Sequence, residues 1–216
     1  MLRIHSFTFN PIQENTYIIY NDNKDCIIVD PGCYFPEERK ALESFINTNQ
    51  LVPKALLNTH CHLDHVFGNK FVYDTWGLPL HIHPLEETVL AFAPQSGLMW
   101  NLVFENYSGP IVHLHPGENV CLGEDKLKIL FTPGHSPGSV SFYSGKDGFL
   151  ISGDVLFRDS IGRTDLPGGD FQTLVNSIQT QLWPLPDETL VYSGHGPYTK
   201  IGYEKKNNPF VGEGAL

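Results

Sequence analysis

Leu57-Asn58-Thr59-His60-Cys61-His62-Leu63-Asp64-His65-Val66-Phe67-Gly68 places three imidazoles and a carboxylate within six residues. Ahead of it, Ala55-Leu56-Leu57 reads as the end of a buried strand, and the residues from Val66 towards Trp76 read as a helix. The cluster therefore sits on a strand-to-helix turn. Side chains alternate along an extended segment, so His60 and His62 point the same way and Cys61 points opposite. Two neutral imidazoles on one side can grip one metal ion. Asp64 and His65 open the helix, where unpaired backbone N–H groups and the helix dipole favour a carboxylate. From there they can hold a second ion. A plain helix cap at Asp64 leaves the three adjacent histidines unexplained.

Working outward, a chain of 216 residues fits one domain, predicted to span 1–216 and long enough to bury about 70% of its unfolded surface. No apolar run approaches the roughly 18 residues that cross a bilayer. Met1-Leu2-Arg3-Ile4-His5 lacks the apolar core of a signal peptide, so a cytoplasmic location with no membrane partner is expected. The four cysteines, Cys26, Cys33, Cys61 and Cys121, form no Cys-x-x-Cys pair and read as reduced thiols. Cys61, turned away from the imidazoles, reads as packed. Acidic residues outnumber basic ones 24 to 14, for a net charge of −10. No Lys/Arg cluster offers a track for phosphates, which argues against nucleic acid.

In chain order, Leu2 to Phe9, Thr16 to Tyr20 and Cys26 to Val29 predict a β-meander, stopped by Asp30-Pro31-Gly32. A helix follows from Pro36-Glu37-Glu38, then a strand from Pro53 to Leu57. Leu78 to Ile82 predicts another strand and Pro84-Leu85-Glu86-Glu87 another helix start. Residues 93–110 read as a loop carrying Gly97, Met99, Trp100, Phe104 and Tyr107, either a flap over a pocket or a satellite core, with the flap slightly favoured. Further strands are predicted near Asn119 to Leu122, Leu127 to Thr132, Ser139 to Tyr143, Phe149 to Ser152 and Thr189 to Tyr192, with a helix from about Phe171 to Leu182.

Three of these strands end in glycine-flanked ligand types: Pro133-Gly134-His135, Gly153-Asp154 and Gly194-His195-Gly196. Counting donors against the needs of two ions, His60, His62 and His135 can hold the first, and Asp64, His65 and His195 the second, with Asp154 bridging. Zinc is the expected pair of ions, with iron or manganese also possible. A water shared by two dications ionises near neutral pH and becomes a nucleophile. The pairs His81-x-His83 and His113-x-His115 have no following Asp-His and read as strand or loop residues.

These motifs, in this order, resemble the metallo-β-lactamase superfamily, and within it short glyoxalase II-like hydroxyacylglutathione hydrolases. The resemblance implies an α/β (α+β) fold, a four-layer αββα sandwich, with the same ligand set. It also implies a thioesterase in which a metal-bridging hydroxide attacks the carbonyl. There Asp64, besides ligating, accepts a proton late in the reaction, and Asp154 serves both as ligand and in catalysis. The superfamily's β-lactam-opening enzymes look different at Asp154, which argues against an antibiotic-hydrolysing role. Arg163 falls where the family has a basic residue that contacts glutathione, but Asp165 replaces an aromatic one, so Arg163 either grips a substrate carboxylate or simply pairs with Asp165. The Gly162-Arg163-Thr164-Asp165 turn is also similar to that of mononuclear iron persulfide dioxygenases, the rival reading.

Overall fold

A computed structural model describes residues 1–215. The chain folds as two compact units: Met1–Leu114 with Cys121–Lys126, and His115–Val120 with the residues from Leu127 onward.

The first unit is built on a six-stranded sheet in sequential order: β1 (Arg3–Phe9), β2 (Glu14–Tyr20), β3 (Asp25–Val29), β4 (Val52–Leu57), β5 (Leu80–Ile82) and β6 (Ile111–His113). The β1–β2–β3 meander is antiparallel, and β3 to β6 run parallel. Parallel strands need crossovers, supplied by α1 (Pro36–Thr48), by α2 (Leu63–Val66) with α3 (Asn69–Trp76), and by a 3-10 turn (Pro84–Glu86) with α4 (Glu87–Met99). The unbroken apolar runs Ile18-Ile19 and Ile27-Ile28-Val29 are fully buried, as strands covered on both faces require. Ile18, Ile28, Leu42, Ile46, Leu56, Phe67, Val72 and Leu80 belong to one core cluster.

Two predictions need correction here. The helix expected from Val66 to Trp76 is two helices parted at Gly68, whose N–H bonds to Pro31 O at 2.7 Å. A Cβ there would lie 2.4 Å from Cys33 Sγ, so the chain passes too close for any larger residue. The 93–110 segment is not a loop throughout, because α4 continues to Met99 with Pro94 inside it. Two of its aromatics belong to the core and not to a flap. Phe104 and Tyr107 pack on the core cluster, and the Tyr107 hydroxyl accepts from Leu80 N–H at 3.0 Å and donates to Pro110 O at 2.5 Å.

The second unit is organised on a sheet of order β14-β13-β10-β9-β8-β7, from β7 (Asn119–Leu122), β8 (Asp125–Phe131), β9 (Val140–Ser144), β10 (Phe149–Gly153), β13 (Leu190–Ser193) and β14 (Thr199–Lys200). Strands β8, β9 and β10 are antiparallel, and β10 runs parallel to β13. A small hairpin, β11 (Leu156–Phe157) and β12 (Ser160–Ile161), lies outside that sheet. Helix α5 (Phe171–Ser177) begins where the Asp170 side chain accepts Thr173 N–H at 2.7 Å, and passes into a π-turn (Ile178–Leu182); α6 (Ile201–Asn207) comes last. Leu130, Leu150, Val155, Leu174, Ile178, Leu182, Val191 and Ile201 form its core. Among the described residues no helix is long and apolar enough to cross a membrane.

Candidate metal centre

In the first unit the backbone leaves the sheet after Leu57, and its N–H groups need new partners. Asn58 N–H takes His81 O at 3.1 Å, Thr59 N–H takes Asp30 Oδ1 at 2.7 Å and Cys61 N–H takes Glu86 Oε2 at 2.7 Å. His60 is thus flanked on both sides by peptides that an acidic side chain holds. Asp30, buried at the end of β3 with φ +49°, also accepts the Thr59 hydroxyl proton through Oδ2 at 2.6 Å. With that proton committed, Thr59 Oγ1, 3.1 Å from His60 Nδ1, accepts from the ring. The proton therefore sits on Nδ1, and Nε2 is the nitrogen able to ligate an ion. Asp30 Oδ2 lies 3.1 Å from His65 Nδ1, which favours the same tautomer in His65. An oxygen behind the non-ligating nitrogen is the usual support of a metal-binding histidine.

The rings of His60 and His62 lie 4.8 Å apart and nearly perpendicular, and those of His60 and His65 lie 4.1 Å apart. Ligand-type atoms of His60 and His62, of His60 and His65, and of Asp64 and His65 come within 4.8 Å of each other. Asp64 Oδ2 is 3.7 Å from His65 Nε2, while Asn10 Nδ2 donates to the Asp64 carbonyl at 3.1 Å. Glu14 lies fully buried below, and burial pushes its carboxyl well above the usual carboxylate range.

In the second unit, β8, β10 and β13 deliver their residues at Thr132, Ser152 and Ser193, all fully buried hydroxyls. Gly134 turns with φ +129°, and a Cβ there would meet Leu174 N at 2.3 Å. His135 Nδ1 donates to Arg163 O at 2.7 Å, again leaving Nε2 as the nitrogen able to ligate an ion. Asp154 Oδ2 lies 3.4 Å from His135 Nε2 and 3.5 Å from His195 Nε2. The turns bearing Asp154 and His195 are tied by Gly194 N–H to Gly153 O at 2.9 Å, and by Ser193 Oγ and Ser152 Oγ, which both donate to Leu156 O, at 2.7 and 3.3 Å.

Each unit thus brings its predicted donors together: His60, His62, Asp64 and His65 in one, His135, Asp154 and His195 in the other. These imidazoles, of which His60, His65 and His135 have an oxygen beside Nδ1, fit a divalent ion of the zinc, iron or manganese type together with the carboxylates. Cys61 packs in the core, and burial raises its thiol pKa. His83 accepts Leu85 N–H at 3.3 Å and His113 Nε2 lies 2.6 Å from Glu87. Neither they nor His81 and His115 join a group of three ligand-type side chains among the described residues.

The Arg163 guanidinium makes a two-pronged pair with Asp165, Nε to Oδ1 and Nη2 to Oδ2, both 2.7 Å. The exposed fork is occupied by its neighbour, and it is the Arg163 carbonyl that serves the site. Asp30 and Glu86 were not visible as site residues in the sequence. Asp30 looked like a strand stopper, its one signal being an acid that directly ends an apolar strand. Glu86 looked like a first-turn acid and gave no signal.

A model of the metallo-beta-lactamase superfamily matches residues 9–195, a span that includes every one of these donors. The probable metallo-hydrolase YqgX of Bacillus subtilis is 43% identical over 202 residues, 93% of this chain and 93% of the relative. The hydroxyacylglutathione hydrolase GloC of Haemophilus influenzae is 36% identical over 215 residues, 97% of this chain and 98% of the relative. Among solved structures, that of the BLEG-1 B3 metallo-beta-lactamase is similar with TM-score 0.88 at 42% identity, covering 97% of this chain and 99% of that one. TTHA1623 in a di-iron-bound form is similar with TM-score 0.87 at 37% identity, covering 96% and 100%. With the donor-bearing turns in the family's order and relatives matched almost end to end, the chain belongs among the metallo-hydrolases of the metallo-β-lactamase superfamily and has its α/β fold.

Proposed function

We propose that the chain is a binuclear metallohydrolase that cleaves small-molecule thioesters of the hydroxyacylglutathione type in the cytoplasm. The observation that carries this reading is Asp154, whose Oδ2 stands 3.4 and 3.5 Å from the ligand nitrogens of two histidines, where one carboxylate can serve two ions. In this reading His60, His62 and His135 would hold one ion, Asp64, His65 and His195 would hold the other, and Asp154 would serve both. Similarity to GloC supports the substrate class, and the donor set favours zinc, with iron or manganese accepted.

Two dications held by these residues would supply an ionised water near neutral pH and an electrophile for the thioester carbonyl. The protein's own part is to keep the donors aimed. Asp30 and Thr59 fix the ring of His60, and the Arg163 carbonyl fixes that of His135. The leaving thiol, with a pKa of about 8.5, departs as thiolate without a strong acid. In this reading Asp64 would also take up the proton late in the reaction.

Metal analysis of the purified protein, paired with loss of S-lactoylglutathione thioester absorbance, tests the proposal. Two ions per chain with turnover is expected. One iron per chain, with oxygen uptake on glutathione persulfide, would overturn it in favour of a persulfide dioxygenase. Turnover of a chromogenic cephalosporin in place of the thioester would overturn the substrate class.

A further inference from the structure

The structure assigns to Glu86 the role of positioning residue for the His60–His62 pair, an inference that rests on the reading of these two histidines as ligands. Glu86 Oε2 accepts Cys61 N–H at 2.7 Å, and the side chain is fully buried. Cys61 stands between the two ligands, four residues beyond the last residue of β4, Leu57, so no neighbouring strand supplies an acceptor for its N–H. Its own side chain is anchored in the core on the opposite side. His60 and His62 share one side only while the backbone at Cys61 stays extended. A turn of the 60–61 peptide about its axis would swing one imidazole away from the other, and the Glu86 bond opposes that turn.

The carrier of Glu86 is itself rigid. Pro84 opens the 3-10 turn, His83 Nδ1 accepts Leu85 N–H at 3.3 Å, and Glu86 N–H bonds to His83 O at 2.9 Å. Helix α4 follows immediately. A buried carboxyl group is costly to keep unless its hydrogen bonds return the cost. On the other side of His60, Asp30 performs the matching task on Thr59 N–H at 2.7 Å. Two acids, each sent from a different crossover, thus hold the peptides on either side of one ligand.

Cobalt(II) titration of Glu86→Asp and Glu86→Gln, with the visible cobalt spectrum recorded at each step, tests the role. Asp is one methylene too short to reach Cys61 N–H; Gln keeps a carbonyl oxygen at full reach and is neutral at every pH. Glu86→Asp should bind the first ion roughly 10- to 100-fold more weakly, the usual effect of losing a group that supports a ligand, and with an altered spectrum. Glu86→Gln should restore both affinity and spectrum, and the melting point of the metal-free variants controls for the fold. Parental affinity and spectrum in Glu86→Asp would overturn the role. So would equal weakening in Glu86→Gln, which would mean that charge matters and reach does not. Should Glu86→Asp fail to fold, Glu86→Met, of equal length without an acceptor, takes its place with the same expected and overturning results. A parent protein that binds no cobalt would remove the ligand reading itself, and this inference with it.

Discussion

At Gly32, three groups from different parts of the first unit crowd one position. A Cβ there would lie 2.0 Å from Glu14 Oε2, 2.6 Å from the Asp64 carbonyl and 2.7 Å from Asn10 Nδ2. None of these can retreat cheaply, since Glu14 is tied to Thr16 and Asn10 to the Asp64 carbonyl. Gly32→Ala should cost about 1–3 kcal/mol, the usual penalty of overpacking, and lower the melting temperature by roughly 3–10 °C in a chain of this size. An unchanged melting curve would show that the backbone yields. Arg163 and Asp165 make a second prediction. Hydrogen bonds from Arg163 hold the Asp165 carboxyl down at about 2, below the unfolded value of about 3.9. Because the folded value is the lower one, the pair's contribution is complete above about pH 4 and is lost as pH falls through about 2. A carboxyl NMR titration should find that low midpoint; one near 4 would mean that the fork is open in solution. The sequence left Arg163 between gripping a substrate and pinning a loop, because a partner two residues away is visible in a sequence and its geometry is not.

Among the elements, α4 runs on through residues whose irregular pattern predicted a loop from Ala93. Pro94 has no N–H for Leu90 O, one turn earlier. The missing donor comes from elsewhere, as Asn106 Nδ2 donates to Leu90 O at 2.7 Å. The side-chain amide both repairs the helix and ties down the segment after it. Asn106→Ala should therefore cost about 1 kcal/mol in the parent but less in a Pro94→Ala background, where residue 94 regains its N–H. Denaturant unfolding of the four proteins measures that coupling; strictly additive costs would refute the exchange of donors. Strands of the two sheets were legible where alternation or long apolar runs mark them, as in β2, β3 and β8. Of the two- and three-residue strands only β5 was read, from Leu78 to Ile82; β6, β11, β12 and β14 were not, since pairing partners alone define them.

For the whole molecule, burial sorts the thiols. Cys26, Cys33 and Cys61 are buried and Cys121 is exposed. Burial raises the Cys26 and Cys33 thiols to about 12 and pushes the Cys61 thiol well above its usual range. An aromatic disulfide reagent should thus titrate one thiol in the native protein and four after denaturation; a second fast thiol would contradict the packing of Cys61 against the core. The candidate donors were legible because His60, His62, Asp64 and His65 crowd into six residues, while His135, Asp154 and His195 sit beside glycines in turns. Their supports were hidden because Asp30 and Glu86 act on backbone N–H groups 29 and 25 residues away, a separation that carries no periodic signal. The division between visible donors and invisible supports also bears on how metal is taken up. Since the peptides around His60 are already fixed by these two acids, ion binding need not be coupled to folding of the loop. Calorimetry should show a heat of metal uptake almost independent of temperature, because little apolar surface leaves water in the step; a large negative heat-capacity change would mean that the loop orders only when the ion arrives.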